Sequence, residues 1–562
     1  MRPGTGRNWR WLLLLLPTLY GLIFFAMPLL QVVRSSGFKM GPMTAAGDTV
    51  TCVLSFSLWQ AALSTVLTLS IGLPAGYVLY CFRFPGRRAL RLLTAIPFIL
   101  PTVVVAAAFN AYAGPNGWLN QAWRAVSGSE EPLIILTGSL VGILMAHVFY
   151  NLTIIIRMAG PAWSNLNPRL EAAAQTLGAN PWQVFLHVTL PLLRPVIVSA
   201  SLLVFLFDFT SFGVILLVGG LRFSTLEVEI YRQTLSFYNL PLASLLALIQ
   251  MACTLAFAGL YQYFSNRPVP LVPASERKAA RKPDGWRQIL GIGLVIVFLW
   301  VFFAGPLLSL TASAFWSIGA DRGERGLVAA GWTLDHFAGL AQNRNSDLFY
   351  VPPLTALMNS LKFASLTAIV SLGLGLLLVY GLPRQGRWRS GAEILVMLPL
   401  GTSAVTLGLG YILAFNKAPF AWGSSPWILP MAHTLVALPF VVRTLMPAVS
   451  SIPADYRQSA AVLGAGSWRI FWSVDLPLIR RVMVSAFIFA FTISLGEFGA
   501  TSLLYRPQYP TLPVAIFRYL SLPGAANYGQ AMAMSVVLML ACAAGILIIE
   551  RSSGFLAGEG GE

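Results

Sequence analysis

Charge is what this sequence has least of. Asp, Glu, Lys and Arg make up 10% of its 562 residues, against about 25% in ordinary soluble domains. A chain this long with so little charge is excluded from the soluble globular class. Lysine is almost missing, and none of the five present (Lys39, Lys278, Lys282, Lys362, Lys417) is followed by Ser or Thr. A phosphate-cradling Walker loop needs Gly-Lys and then a hydroxyl residue, so ATP hydrolysis is not expected on this chain. The four cysteines, Cys52, Cys81, Cys253 and Cys542, stand singly among apolar residues, without the paired spacing of a metal or redox site. They read as small core residues. There is no metalloprotease pair of histidines, no nucleophile elbow in a soluble context, and no stretch of soluble sequence long enough for a catalytic domain. No catalytic residue, cofactor or metal ligand is therefore expected, and the chain reads as a non-enzyme.

Hydrophobic residues, by contrast, make up 57%, in recurring runs of roughly 20 residues, each enough to cross about 30 Å of hydrocarbon. Continuous runs such as LLLLLPTLYGLIFF exclude a β-barrel, whose segments of about 10 residues alternate. The class is all-α, polytopic and membrane-spanning. Spans are expected near 11–33, 54–80, 92–113, 133–156, 196–220 and 241–264, then 288–311, 359–382, 391–415, 427–447, 482–505 and 529–549. That makes about twelve, in two sets of six. The first run is too long for a signal-peptide core and stays as an anchor.

The net charge of +17 comes from basic residues in short loops, which is what orientation in a membrane requires, so nucleic acid is not a partner. Arg2, Arg7 and Arg10 precede the first span and place the N-terminus inside. Arg83, Arg87, Arg88 and Arg91, then Arg277, Lys278, Arg281 and Lys282, then Arg384, Arg387 and Arg389 fall in alternate loops on the same side. The polar, Pro-rich stretch SNRPVPLVPASERKAARKPDGW lies almost halfway along and reads as a cytoplasmic linker. The expected organisation is a first unit over 1–264, a linker over 265–287 and a second unit over 288–562.

The halves repeat. A shift of 286 positions lays Met145-Ala-His147 on Met431-Ala-His433, Arg157 on Arg443 and Pro161 on Pro447. Without a gap it then aligns LGANPWQVFLHVTLPLLRPVIVSA with LGAGSWRIFWSVDLPLIRRVMVSA, and continues to Phe212-Gly213 and Phe498-Gly499. So long an ungapped register marks a tandem duplication in parallel orientation.

The best-matched part lies between the fourth and fifth spans, in a loop of about 35 residues where packing alone needs a handful. Its pattern is an amphipathic helix (NPRLEAAAQTL), a Gly suited to a left-handed turn (Gly178), then Trp182, Phe185 and Val188 ahead of Leu190-Pro191. That is helix, turn, helix with an apolar face for a cytoplasmic partner; an interfacial helix lying on the bilayer is the competing reading.

Residues 171 to 191, EAAAQTLGANPWQVFLHVTLP, resemble the signature loop of the inner-membrane permease subunits of binding-protein-dependent ABC importers: Glu-Ala-Ala, Gly seven residues after the Glu, then Leu-Pro. The resemblance implies two tandem six-helix type I permease units. In that family the loop forms a coupling helix seated in a groove on the ATPase. Glu171, Ala172, Ala173, Gly178, Phe185 and Pro191 would then form one coupling loop, and Gly464, Phe471 and Pro477 mark its second copy. There Arg457, Gln458 and Ser459 replace Glu-Ala-Ala, so any ion pair the Glu makes with the ATPase cannot form at the second loop, and the coupling is expected to be asymmetric. The resemblance further implies a separate ABC ATPase, in two copies, an extracytoplasmic solute-binding protein, and a bacterial-type plasma (inner) membrane with both termini cytoplasmic. Two permease units fused in one chain are similar to the ferric-iron and thiamine importers.

For the translocation path, ionisable groups inside spans are the default candidates. Asp208 in LFDFTSFG and Glu497 in ISLGEFG lie three positions apart under the 286 shift, near Phe212 and Phe498. Acids in the spans suit a cation, and the resemblance to the fused importers implies iron(III) first and thiamine second, with phosphonate or polyamine behind. The competing reading makes these acids helix-packing partners. The duplicated His147 and His433 read as interhelical hydrogen-bonding residues rather than metal ligands. The outer segment 312–356, with acids Asp321, Glu324, Asp335 and Asp347, is a candidate receiver for the binding protein. A secondary transporter of the major-facilitator type shares the six-plus-six plan but leaves the long duplicated loops unexplained.

Overall fold

The computed structural model describes residues 8–37, 43–129, 131–265, 280–317, 331–341, 353–382, 396, 398–416 and 422–553. Most of the expected linker, the acids Asp321, Glu324 and Asp347 of the outer segment, and the basic cluster Arg384, Arg387 and Arg389 lie outside these residues.

Among the described residues ten helices are long and apolar enough to cross a membrane: Leu12–Ser35, Gly47–Cys81, Leu140–Ser164, Pro181–Phe209, Leu240–Ser265, Trp286–Phe315, Pro353–Gly381, Ile428–Ser450, Ser467–Gly496 and Ala525–Ile549. The third expected span of the first half is bent, and that of the second lies partly outside the described residues. Near 92–113 the chain is a bent pair, Arg87–Ile99 and Thr102–Ser127, meeting at 116°. Pro97 opens a 3-10 turn, Leu100 is extended and Pro101 precedes the next helix, as proline dictates for itself and its predecessor. Near 391–415 the described helix, Ala404–Phe415, has 12 residues and starts behind an N-cap in which Ser403 Oγ accepts from Thr406 N at 3.0 Å. The fifth spans also start earlier than expected, at Pro181 and Ser467, so the connection from the fourth helix is shorter than the expected loop.

The chain forms two compact units that do not follow the sequence halves: Gly41–Glu229 with Ile249–Trp316, and Met1–Met40 with Ile230–Leu248 and Ser317–Glu562. The first helix of each half sits in the unit built mainly from the other half. Thus Tyr20 Oη donates to Met431 O at 2.5 Å, Phe24 packs on Tyr411 and Phe415, and the first helix lies along Pro353–Gly381. Reciprocally, Phe303 packs on Phe149 with ring centroids 5.4 Å apart, and Ser313 accepts from Trp118 Nε1 at 3.0 Å.

Within each unit the second, fourth and fifth helices of one half form a mutually packed trio. Without a hydrophobic driving force between helices in lipid, close approach at small residues is what holds them. A Cβ at Gly72 would stand 2.7 Å from the Ile155 side chain, and one at Gly375 would stand 2.7 Å from Val441. Positions 155 and 441 correspond under the 286 shift and both are fully buried. In each trio a glycine of the second helix thus meets a β-branched side chain at the equivalent position of the fourth. Gly72→Ala is expected to destabilise the folded protein by about 1–3 kcal/mol through overpacking. Combining it with Ile155→Ala should cost less than the sum of the two single changes, read from thermal unfolding in detergent; additive losses would remove this contact as the cause.

Candidate functional site

The duplicated loop has one backbone plan in both copies. In the first, helix Pro168–Thr176 opens on Asn167, whose side chain accepts from Arg169 N at 2.9 Å. It closes at Gly178, with φ +88°, where Gly178 N donates to Gln175 O at 2.9 Å and Ala179 N to Ala174 O at 3.1 Å. A four-residue helix, Pro181–Val184, follows behind a reciprocal Asn180–Gln183 capping box. A five-residue π turn, Phe185–Thr189, then runs into the fifth helix at Leu190. The second copy repeats this with helix Ala454–Val462, Gly464 at φ +83°, helix Ser467–Ile470, π turn Phe471–Asp475, and the fifth helix from Leu476. Both wide turns sit just ahead of Leu-Pro, where proline has no N–H to offer the carbonyl four residues back.

The side chains separate into an outward set and an anchoring set. Leu177 and Leu463 are 89% and 87% exposed, Trp182 and Trp468 66% and 73%, an apolar surface repeated on both loops. Leu177 and Leu463 were not among the expected contact residues, although the shift aligns them. Ala172, Ala173, Gly178, Gly464, Pro191 and Pro477 are also exposed. Phe185 and Phe471 are half-buried anchors: Phe185 stacks between Trp163 and Trp182, and Phe471 packs on Tyr380 and Trp468. Glu171 is half-buried, its Oε1 accepting from Thr189 Oγ1 at 3.1 Å. Behind the first loop lies a cleft of about 660 Å³ lined by Tyr77, Trp163, Glu171, Trp182, Phe185 and Arg281. The described end of the linker is pinned there. Arg281 N donates to Cys81 O at 3.0 Å, Arg83 N to Arg281 O at 2.9 Å, and Arg281 Nη2 to Tyr77 Oη at 3.1 Å.

The four residues expected along the path lie elsewhere in each unit and are buried: Asp208 0%, Phe212 5%, Glu497 8% and Phe498 2% exposed. Both fifth helices break beside them, at Phe209 and Gly496, and resume as the short segments that hold Ile215–Gly219 and Gly499–Leu504. At each break the duplicated histidine reaches two positions three apart. His147 Nδ1 lies 3.5 Å from Asp208 Oδ1, and its Nε2 lies 2.9 Å from Ser211 Oγ. His433 Nδ1 lies 2.8 Å from Ser494 Oγ, and its Nε2 lies 3.2 Å from Glu497 Oε2. Asp208 corresponds to Ser494 and Ser211 to Glu497, so acid and hydroxyl have traded places around the same ring. The shift carried that signal, hidden because neither pair matches by identity. Asn151 Nδ2 completes the first site, donating to Asp208 Oδ1 at 2.6 Å. In the second, Glu497 accepts from Ala500 N at 2.9 Å and from Thr501 N at 3.0 Å.

The family described as binding-protein-dependent transport system inner membrane component matches residues 69–269 and again 351–556. The chain belongs to this family, with two permease units in tandem. It is similar along nearly its whole length to thiamine transport system permease proteins named ThiP. Identity is 28% to that of Salmonella typhimurium, over 89% of each chain. It is 27% to that of Haemophilus influenzae, over 92% of each, and 25% to that of Brucella abortus, over 89% of this chain and 87% of the relative. The protein is thus a multi-pass membrane transport subunit of the ABC importer permease class.

Two outcomes follow from this geometry. At Gly178 a Cβ would meet nothing within 4 Å, so the left-handed backbone alone makes side chains costly there. Gly178→Val should impair transport far more than Gly178→Asn, since Asn tolerates that region; equal effects would shift the cause from backbone to side-chain bulk. At the histidine, Asp208→Ser should cost about 1–3 kcal/mol of stability by leaving polar partners unsatisfied. Adding Ser211→Glu, which recreates the second site's arrangement, should recover most of that in thermal unfolding.

Proposed function

We propose that this chain forms the membrane path of a thiamine importer, driven by a separate ABC ATPase that docks on the two duplicated loops. The observation that carries the docking role is the outward pair Leu177 with Trp182, repeated as Leu463 with Trp468 on identical backbone. A stripe of large apolar side chains held rigidly outward on a glycine-terminated turn is a partner surface. The two copies call for two ATPase subunits, with both loops and both chain termini on the cytoplasmic side of a bacterial-type inner membrane. A solute-binding protein delivers solute on the opposite side. Closure of the ATPase pair would move each loop, and with it the fifth helix that continues from it, so hydrolysis switches the path between inward and outward access.

Thiamine takes precedence over iron(III). The similar permeases named above are thiamine transport proteins matched over 87% or more of both lengths. The span acids that suited a cation each have partners within their own unit. Asp208, Glu497, Phe212 and Phe498 then serve the path from behind, by fixing the break in each fifth helix.

Extraction in mild detergent from the native membrane should bring down a Walker-containing ATPase at two copies per chain. In vesicles with the binding protein, thiamine should stimulate ATP hydrolysis while iron(III) does not. Stimulation by iron(III) alone would return the metal to first place. Purification of the chain alone, with uptake following an ion gradient, would favour a secondary transporter.

A further inference from the structure

The two docking loops are equal in backbone and unequal in how they are held. The first loop is capped at both helix starts, by Asn167 and by the Asn180–Gln183 box. The second has Pro453 and Gly466 at those positions, with no side-chain cap. What the two loops share is a tie across the turn between position 171 or 457, on the outer helix, and position 189 or 475, the last residue of the π turn. In the first loop Thr189 donates to Glu171 at 3.1 Å. In the second the carboxylate has moved to the other end, and Arg457 Nε donates to Asp475 Oδ1 at 2.7 Å. Asp475 is buried and the Arg457 side chain is 13% exposed, with Nη2 buried and making no hydrogen bond.

A π turn carries one residue more than an α turn, so it re-aims the side chain at its end; in both loops that side chain meets the outer helix. Removing two charges from water for one hydrogen-bonded contact is weak support for stability, and such pairs are better placed to specify geometry. The missing caps say where that specification is needed. We infer that Arg457 and Asp475 are positioning residues that hold the second loop in docking posture, substituting for the Glu171–Thr189 tie and the caps of the first. Arg457 thus replaces the signature Glu without making the second loop a weaker coupler. The inference rests on the docking role proposed above.

The test uses the full complex of permease, ATPase and binding protein in lipid vesicles, reading thiamine imported per ATP hydrolysed. Arg457→Ala and Asp475→Ala should each lower that ratio about tenfold, within the range of typical site-to-site coupling, with the ATPase still bound. Arg457→Glu combined with Asp475→Thr, which copies the first loop's tie, should return the ratio to within about twofold of wild type. Arg457→Lys, which keeps the charge pair, guards against simple misfolding and should stay near wild type. Unchanged ratios in the single variants, or a double variant no better than the singles, would overturn the inference. Trp182→Ala with Trp468→Ala separates the two ideas: the ATPase should dissociate, and its retention would remove the docking role itself.

Discussion

Hydrocarbon offers no water to an unmet polar group, and this constraint governs the molecule. Wherever the chain departs from continuous helix inside a span, a side chain must take over. The breaks in the two fifth helices are where this happens. His147 and His433 each reach across from the fourth helix, and Glu497 accepts from the backbone N–H groups that the break exposes. Buried acids in spans signal function by default; here Glu497 accepts from two backbone N–H groups, while Asp208 accepts from Asn151 through Oδ1 and leaves Oδ2 without a hydrogen bond.

Duplication shaped how these requirements are met. Twice the two halves keep a geometry and exchange its chemistry: acid and hydroxyl around the histidine, and carboxylate and its partner across the duplicated loop. An arrangement of two positions can drift in this way because the contact constrains the pair rather than either member. Identity between the halves therefore understates their structural equivalence. At Gly72 and Gly375 an added side chain would crowd Ile155 and Val441, so close approach in each trio rests on the absence of one.

The first helix of each half lies in the unit formed mainly by the other half's helices. Each first helix therefore packs in a unit built mainly by the other half. Tandem fusion keeps both exchanged helices on one chain, and Arg281 ties the linker's described end to the cleft beside the first duplicated loop.

The apolar runs and the 286-residue register were enough to reveal an all-α membrane protein of two like units, and Gly178 was readable as a left-handed turn because helix and glycine occur in sequence order. The signature loop was legible for the same reason: its residues are neighbours in the chain. Hydropathy placed a span near 92–113 but did not register the proline bend at 97–101 that breaks it. The exchange of first helices was invisible, since periodicity says which face is apolar and not what covers it. The partners of Asp208, Glu497, Arg457 and Asp475 likewise came only from the tertiary structure. Each pair joins segments whose separation in sequence carries no distance, and burial, not composition, decides whether a carboxylate faces a path or a histidine.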